Sequence, residues 1–476
     1  MTSPTSSSSS TPGGYREVFA ISFPLILSTS SFSLMHLVDR IFLSWYSPEA
    51  IAASVPAGAA AWTVLCLFMG TAGYVSTFVS QYEGAGRPER IGISTWQGVF
   101  FSLVAALALV LIAGIGKPLF EFAGHPEAVR RDEVVYFEIL VLGGGGVVVS
   151  AALSGFYSGR GKTWVVMWVN LLGALVNGVL DWVMIFGKWG FPEWGIYGAG
   201  LATIIAPWTM TAIYLALFLL PENRRRFKTL ESARFDPELF RRLLRFGFPS
   251  GLQFMVDVSA FTVFVLLIGR IGVEELAASN IAFAINHLLF MPMIGLSMGT
   301  SVLVGRYLGA DKPDLSARAV SSAHRMTVAY MALFSIALVC FPTAFLEVFR
   351  PKDLEADFQA VIELGTHLLY FVAAYSTIDA SNIVFISALK GAGDTRFVLW
   401  IMVFFAVTVL VGPSYVACVL LGKGIYTAWA ILTLYVVVLA VAYWLRYRAG
   451  HWRSMRVIEH APAPGATVSE GPVVET

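Results

Sequence analysis

Charge is scarce in this chain. Only 13% of its 476 residues are Asp, Glu, Lys or Arg, and 32 basic side chains against 31 acidic ones leave a formal net charge of +1. A soluble domain carries roughly 25% charge, so the chain is built for lipid, and no nucleic-acid partner is expected. Cysteine is scarcer still. Cys66, Cys340 and Cys418 lie within apolar runs at no metal-like spacing, which excludes a disulfide framework and a zinc centre. A nucleotide-driven motor is lacking too: Gly161-Lys162-Thr163 ends like a P-loop, but position 156, where the loop needs glycine, is Phe156. Gly295-Leu-Ser-Met-Gly299 fits a hydrolase elbow in letters only, because it sits inside an apolar helix. Residues 1–14 carry no positive n-region, so they read as a disordered tail rather than a signal peptide, and residues 451–476 read as equally unstructured.

What is present is hydrocarbon. Hydrophobic residues make up 57% of the chain, and the mean hydropathy is +0.71. A bilayer core about 30 Å thick needs about 20 apolar residues per helix. Twelve such runs occur, at approximately 18–45, 55–80, 94–115, 134–157, 164–186, 196–220, 246–271, 277–306, 324–348, 361–389, 397–420 and 425–446. A β-barrel would show short alternating segments instead. Of the basic residues, 23 fall on the side that holds both termini and 8 on the other, which predicts cytoplasmic termini.

The second half of the chain repeats the first. A shift of 225 lays Phe23, Pro24, Glu49, Ala52, Ala53, Ser54, Tyr82, Gly84, Ala85 and Pro88 on Phe248, Pro249, Glu274, Ala277, Ala278, Ser279, Tyr307, Gly309, Ala310 and Pro313. A shift of 232 lays Gly159, Gly161, Thr163 and Trp168 on Gly391, Gly393, Thr395 and Trp400. The reading is an all-α integral membrane protein with two six-helix lobes, related by a pseudo-twofold along the membrane normal. Its expected parts are a tail at 1–14, a first lobe at 15–220, a cytoplasmic linker at 221–245, a second lobe at 246–446 and a cytoplasmic tail at 447–476. The basic excess of the linker faces anionic lipid. Pro24 and Pro249, at equivalent positions, are expected to bend their helices and act as hinges.

The acids inside the spans do not repeat. An ionised carboxylate in lipid costs at least about 2.5 kcal/mol, so one that persists faces a cavity, a partner or an ion. Asp39, Asp181 and Thr203 fall at nearly one depth when counted at about 1.5 Å per residue, and Asn177 precedes Asp181 by four on the same helical face. Together they suit a hard cation or a held proton. Their repeat partners are Phe264 for Asp39, Val409 for Asn177 and Pro413 for Asp181. The second lobe offers another pair at one depth, Asp257 and Asp379, with Tyr375 one turn before Asp379. Paired carboxylates beside an aromatic suit a lipophilic cation or a shared proton. His36 and His287 read as packing residues.

The run from Pro24 to Ala53 with Asp39, the Asn177-x-x-x-Asp181 pair followed by Gly198 to Thr203, and Asp379 resemble the multidrug and toxic compound extrusion (MATE) transporters, in their bacterial branch, over residues 15–446. The resemblance implies a V of two lobes in the plasma membrane and export of organic cations in exchange for Na+ or H+. It implies an ion site at Asp39, Asn177, Asp181 and Thr203, and a substrate or proton site at Asp257, Tyr375 and Asp379. It implies no enzyme activity, no cofactor beyond the coupling ion, small-molecule organic cations and membrane lipid as partners, and a monomer. Two departures stand out: Arg40 follows Asp39 where relatives place a small polar residue, so Arg40 is placed to neutralise it, and Asp257 replaces a glutamate. The competing expectation is a lipid-linked sugar flippase of the same superfamily, whose cavity would need several Arg or Lys.

Overall fold

Hydrocarbon offers the backbone no hydrogen-bonding partner, so a spanning segment must close its bonds internally. The structure, a computed structural model, describes residues 11–123, 125–350 and 358–459, and among them twelve helices are long and apolar enough to cross a membrane. They are α1 (Tyr15–Tyr46), α2 (Pro48–Gly84), α3 (Pro88–Ala113), α4 (Val129–Gly159), α5 (Thr163–Ile185), α6 (Gly195–Phe218), α7 (Pro237–Ile268), α8 (Val273–Gly309), α9 (Pro313–Cys340), α10 (Gln359–Ala392), α11 (Thr395–Leu420) and α12 (Ile425–Arg448). Leu111, Leu175, Leu266 and Leu333 are 74, 63, 67 and 66% exposed, a surface that only lipid covers without penalty. The chain is a multi-pass membrane protein.

Local chemistry starts the helices where punctuation predicts. Ser47 Oγ accepts from Ala50 N at 3.0 Å ahead of Pro48, and Asp236 Oδ1 accepts from Leu239 N at 3.0 Å ahead of Pro237. The second of these caps moves a boundary, because α7 begins at 237, inside the expected linker, rather than at 246.

Two hydrophobic cores mark the two lobes, and each borrows from the other half of the chain. The second-lobe core takes in Val18 and Ile21 from the first turns of α1, and the first-lobe core takes in Leu239 and Leu243 from the first turns of α7. The seam between the lobes obeys the duplication. A Cβ on Gly84 would overlap the Arg306 carbonyl, and one on Gly309 would overlap the Gln81 carbonyl; each pair is the other shifted by 225. A Cβ on Gly70 would come within 2.8 Å of Gly251 Cα, while Gly295, the repeat of Gly70, meets Ile26, the repeat of Gly251. Pro24 and Pro249 sit between these contacts, in helices that run unbroken through them.

The tails differ from expectation. Residues 451–459 are ordered: His451–Ser454 form a 3-10 turn, and Trp452, Val457 and Ile458 are buried, because apolar side chains among these polar letters find a core to enter. Residues 11–14 are also placed, with Gly13 O accepting from Ser322 Oγ at 2.9 Å. The remaining tail positions, 1–10 and 460–476, lie outside the described residues.

Candidate functional site

In the first lobe, α1, α4, α5 and α6 meet around Asp39. The helical spacing of Asn177 and Asp181 turns both onto the face of α5 that packs on α1, and Asp39, Asn177 and Asp181 are 4, 0 and 0% exposed. With its amide donating, Asn177 Nδ2 lies 2.8 Å from Asp39 Oδ1 and 3.3 Å from Asp181 Oδ2. Turned over, the same amide would aim its oxygen at two carboxylate oxygens, an arrangement that holds only with a proton or a cation between them. Asp39 and Asp181 are also in side-chain hydrogen-bonding contact with each other. Two carboxylates this close need a proton or a counter-ion, and Asp39 Oδ2 and Asp181 Oδ1 are buried with no hydrogen-bond partner among the described residues. The donor set and its orphaned oxygens fit a hard monovalent cation or a proton.

Thr203 is peripheral to this cluster. Its hydroxyl donates to Ala199 O at 2.9 Å, along its own helix, and it neighbours Tyr136 of α4. Tyr136 was missed in the sequence. It is 6% exposed and lies within electrostatic reach of both Asp39 and Asp181; the shift of 232 places Leu368 opposite it, so the missing repeat was the signal. His36 Nδ1 stands 3.8 Å from Asp39 Oδ2. Arg40 is exposed and, among the described residues, makes no ion pair with Asp39.

The second-lobe pair is built differently. Asp257 on α7 is exposed, and it acts electrostatically on Cys66 of α2 in the other lobe as well as on Lys390, Tyr435 and Tyr443 of its own. It therefore stands where α7 packs on α2 of the other lobe. Asp379, within electrostatic reach of Asp257 and of the buried Tyr375, accepts from Asn382 Nδ2 at 3.2 Å. Lys390 joins them. It sits in the last turn of α10, where a sequence reading sends a basic residue out to the headgroups, but its Nζ turns inward and donates to Gln253 Oε1 at 3.1 Å, one turn before Asp257. Ionised, the three groups leave the pocket with one net negative charge. At the same level Trp62 of α2 meets Phe254 of α7 edge-on, with ring centroids 6.3 Å apart, and Phe32 packs tilted on Trp62 at 5.4 Å.

The MatE family model matches residues 24–183 and 249–416. The chain belongs to the MATE transporter family. The two matched blocks begin at Pro24 and Pro249, the same position of the repeat, so the family pattern itself is read twice. Among curated relatives, a probable multidrug resistance protein NorM of Mannheimia succiniciproducens is 28% identical over 395 residues, 82% of this chain and 83% of its own length. The multidrug resistance protein NorM of Vibrio cholerae is 28% identical over 375 residues, 78% of this chain and 80% of its own. A solved structure described as the outward-facing conformation of a multidrug resistance MATE family transporter superposes with a TM-score of 0.83 at 19% identity, over 92% of this chain and 96% of its own. A eukaryotic MATE transporter superposes with a TM-score of 0.81 at 17% identity, over 92% of this chain and 96% of its own. Such low identities establish the fold, and the MATE fold of twelve helices in two lobes is the one described above.

Proposed function

We propose that this MATE protein is a secondary antiporter that exports amphipathic organic cations in exchange for Na+ or H+, as a single chain in a bacterial inner membrane with both termini cytoplasmic. The observation that carries the reading is the separation of two acid sites. Asp39, Asn177 and Asp181 are sealed inside the first lobe, where only a small ion or a proton fits. Asp257 is exposed where α7 meets α2, with Asp379 within electrostatic reach and the aromatic rings of Phe32, Trp62 and Phe254 at the same level, groups suited to a flat lipophilic cation held between the lobes. Relatives named as multidrug resistance proteins support the efflux direction.

Exchange follows from linkage. An ion that binds the first lobe better in one opening, and a drug that binds the cleft better in the other, drive each other across. Pro24 and Pro249, flanked by the glycine contacts of the seam, are the proposed bending points. Tyr136 and Thr203 steady the first-lobe carboxylates from α4 and α6. A flippase for phosphate-linked sugars would need several cavity cations; Lys390 is engaged by Gln253, and it stands among carboxylates that repel phosphate.

The test is ethidium efflux from cells expressing the protein, with and without Na+ at matched pH and after collapse of the proton gradient. Loss of efflux under one of these conditions identifies the coupling ion. Export by both Asp181→Asn and Asp379→Asn at the parent rate would sink the assignment of sites.

A further inference from the structure

The termini-bearing face of the seam holds a feature that transport of drug or ion does not explain: each lobe is strapped by a segment belonging to the other half of the chain. In the first lobe, Tyr82 Oη donates to Glu459 Oε2 at 2.7 Å, and Arg90 Nε donates to Glu459 Oε1 at 3.0 Å. Arg87 pairs with the same carboxylate, and Arg242 Nη1 lies 3.7 Å from it. The backbone next to it is held too, because Val457 N donates to Gln81 Oε1 at 2.8 Å, and Val457 and Ile458 are 1 and 7% exposed within the first-lobe core. In the second lobe, Tyr307 Oη donates to Glu17 Oε2 at 2.6 Å, and Gly13 N donates to Tyr307 Oη at 3.1 Å. Ser322 fixes Gly13 O, and a Cβ on Gly13 would come within 2.8 Å of Leu315 O.

Tyr82 and Tyr307 are one residue of the repeat, separated by 225. So are Gln81 and Arg306, whose carbonyls receive Gly309 and Gly84, and so are Glu17 and Arg242. The duplication thus explains why the acid at Tyr82 comes from so far away. The first helix of the first lobe carries its own acid, Glu17, for the opposite tyrosine. The equivalent position of α7 carries Arg242, which cannot serve a tyrosine hydroxyl as acceptor, and Glu459 takes its place while Arg242 becomes one of its cations.

We infer that Glu459 and Glu17 are a reciprocal pair of latches that hold the lobes together at this face, so that each must release for the face to open. Both acids cross the seam, and both end on a tyrosine at the end of the helix whose glycine, Gly84 or Gly309, forms the closest lobe contact. Hinged lobes that separate here would pull Glu459 from Arg87, Arg90 and Tyr82, and Glu17 from Tyr307. The latches set how much of the population stays closed at this face when no substrate is bound. This inference rests on the seam and does not depend on which ion or drug is carried.

The experiment measures lobe separation in full-length protein in nanodiscs, with Cys66, Cys340 and Cys418 replaced by serine and spin labels on Arg225→Cys and Lys312→Cys, both exposed on this face. Without substrate, Glu459→Gln and Glu17→Gln should each raise the ratio of long to short inter-label distances about threefold to tenfold, the range of one ordinary hydrogen bond lost, since the amide keeps part of each contact. The double variant should exceed either. Glu347→Gln, which breaks an exposed pair with Arg350 away from the seam, should leave the distribution at the parent's. Tyr82→Phe and Tyr307→Phe remove only the hydroxyls and give the same direction with a smaller shift, which covers the case in which a Glu variant fails to fold. An unchanged distribution in the folded double variant, or in the double tyrosine variant, would overturn the inference.

Discussion

Two stretches of this chain descend from one sequence and do opposite work. Residues Asn177 to Asp181 lie in an unbroken α-helix and converge with Asp39 on a sealed polar cluster. Their copies, Val409 to Pro413, lie where α11 widens into two π-helical stretches, Ala406–Val411 and Val416–Leu420, on either side of Gly412–Tyr415. Proline has no N–H to give and crowds the carbonyl one turn back, and a wider turn accommodates it. Phe264, the copy of Asp39, is fully buried in the second-lobe core. Opposite the second-lobe acids, in turn, the first lobe has Phe32 for Asp257 and Val147 for Asp379. The lesson is that duplication supplied the scaffold and divergence supplied the chemistry, one polar centre per lobe, each written over apolar residues in the other copy.

That contrast is broken most completely by Asp181→Asn. Export should fall by at least about a hundredfold with the fold retained, since the neutral amide cannot hold a cation or release a proton with Asp39. Pro413→Ala at the copied position should leave export near the parent rate, measured in the same efflux assay. Asp379→Asn should weaken binding of an organic cation about tenfold or more, read by fluorescence titration, because the pocket loses one of its two carboxylates and its net charge goes from one negative to zero. Lys390→Gln sharpens the second-lobe side: with the internal cation gone, the pocket's net charge goes from one negative to two, and binding of a dication should improve several-fold relative to a monocation of similar size. Gly84→Ala and Gly309→Ala probe what the copies still share. Each forces a Cβ into the other lobe's carbonyl, a strain of about 1–3 kcal/mol, and the two should lower closure of the seam by similar amounts in the spin-label experiment.

The smallest effect concerns pH. Burial works against the charge on Glu459, but the Tyr82 hydroxyl, then Arg90 and Arg87, outweigh it and hold its carboxyl at about 2, below its ordinary 4.5. An acid depressed in the folded state contributes stability that is complete above its unfolded value and is lost as pH falls toward the folded one. The Glu459 latch should therefore be constant from pH 5 to 8, and the change in lobe separation caused by Glu459→Gln should be the same at both ends of that range.

Much of this was legible in the residues. Twelve continuous apolar runs admit few alternatives in lipid, and the depth of Asp39 against Asp181 followed from counting helical rise. The misses have physical causes. Lys390 lies near a helix end, where a basic side chain ordinarily reaches the headgroups, and nothing in the sequence shows that its Nζ turns inward to the amide of Gln253. Residues 451–459 were read as unstructured because their letters are polar on average, yet Trp452, Val457 and Ile458 are enough to anchor them once two cores stand side by side. Tyr136 carries no motif, and only its replacement by Leu368 in the copy sets it apart.

The division of labour between the lobes is tested most directly by binding to purified protein in nanodiscs, with bound Na+, proton release and ethidium each measured on the parent, Asp181→Asn and Asp379→Asn. The account predicts that Asp181→Asn loses the coupling ion and keeps ethidium, while Asp379→Asn keeps the ion and loses ethidium. Loss of both ligands in either variant would contradict it, and would make the two acid centres a single site.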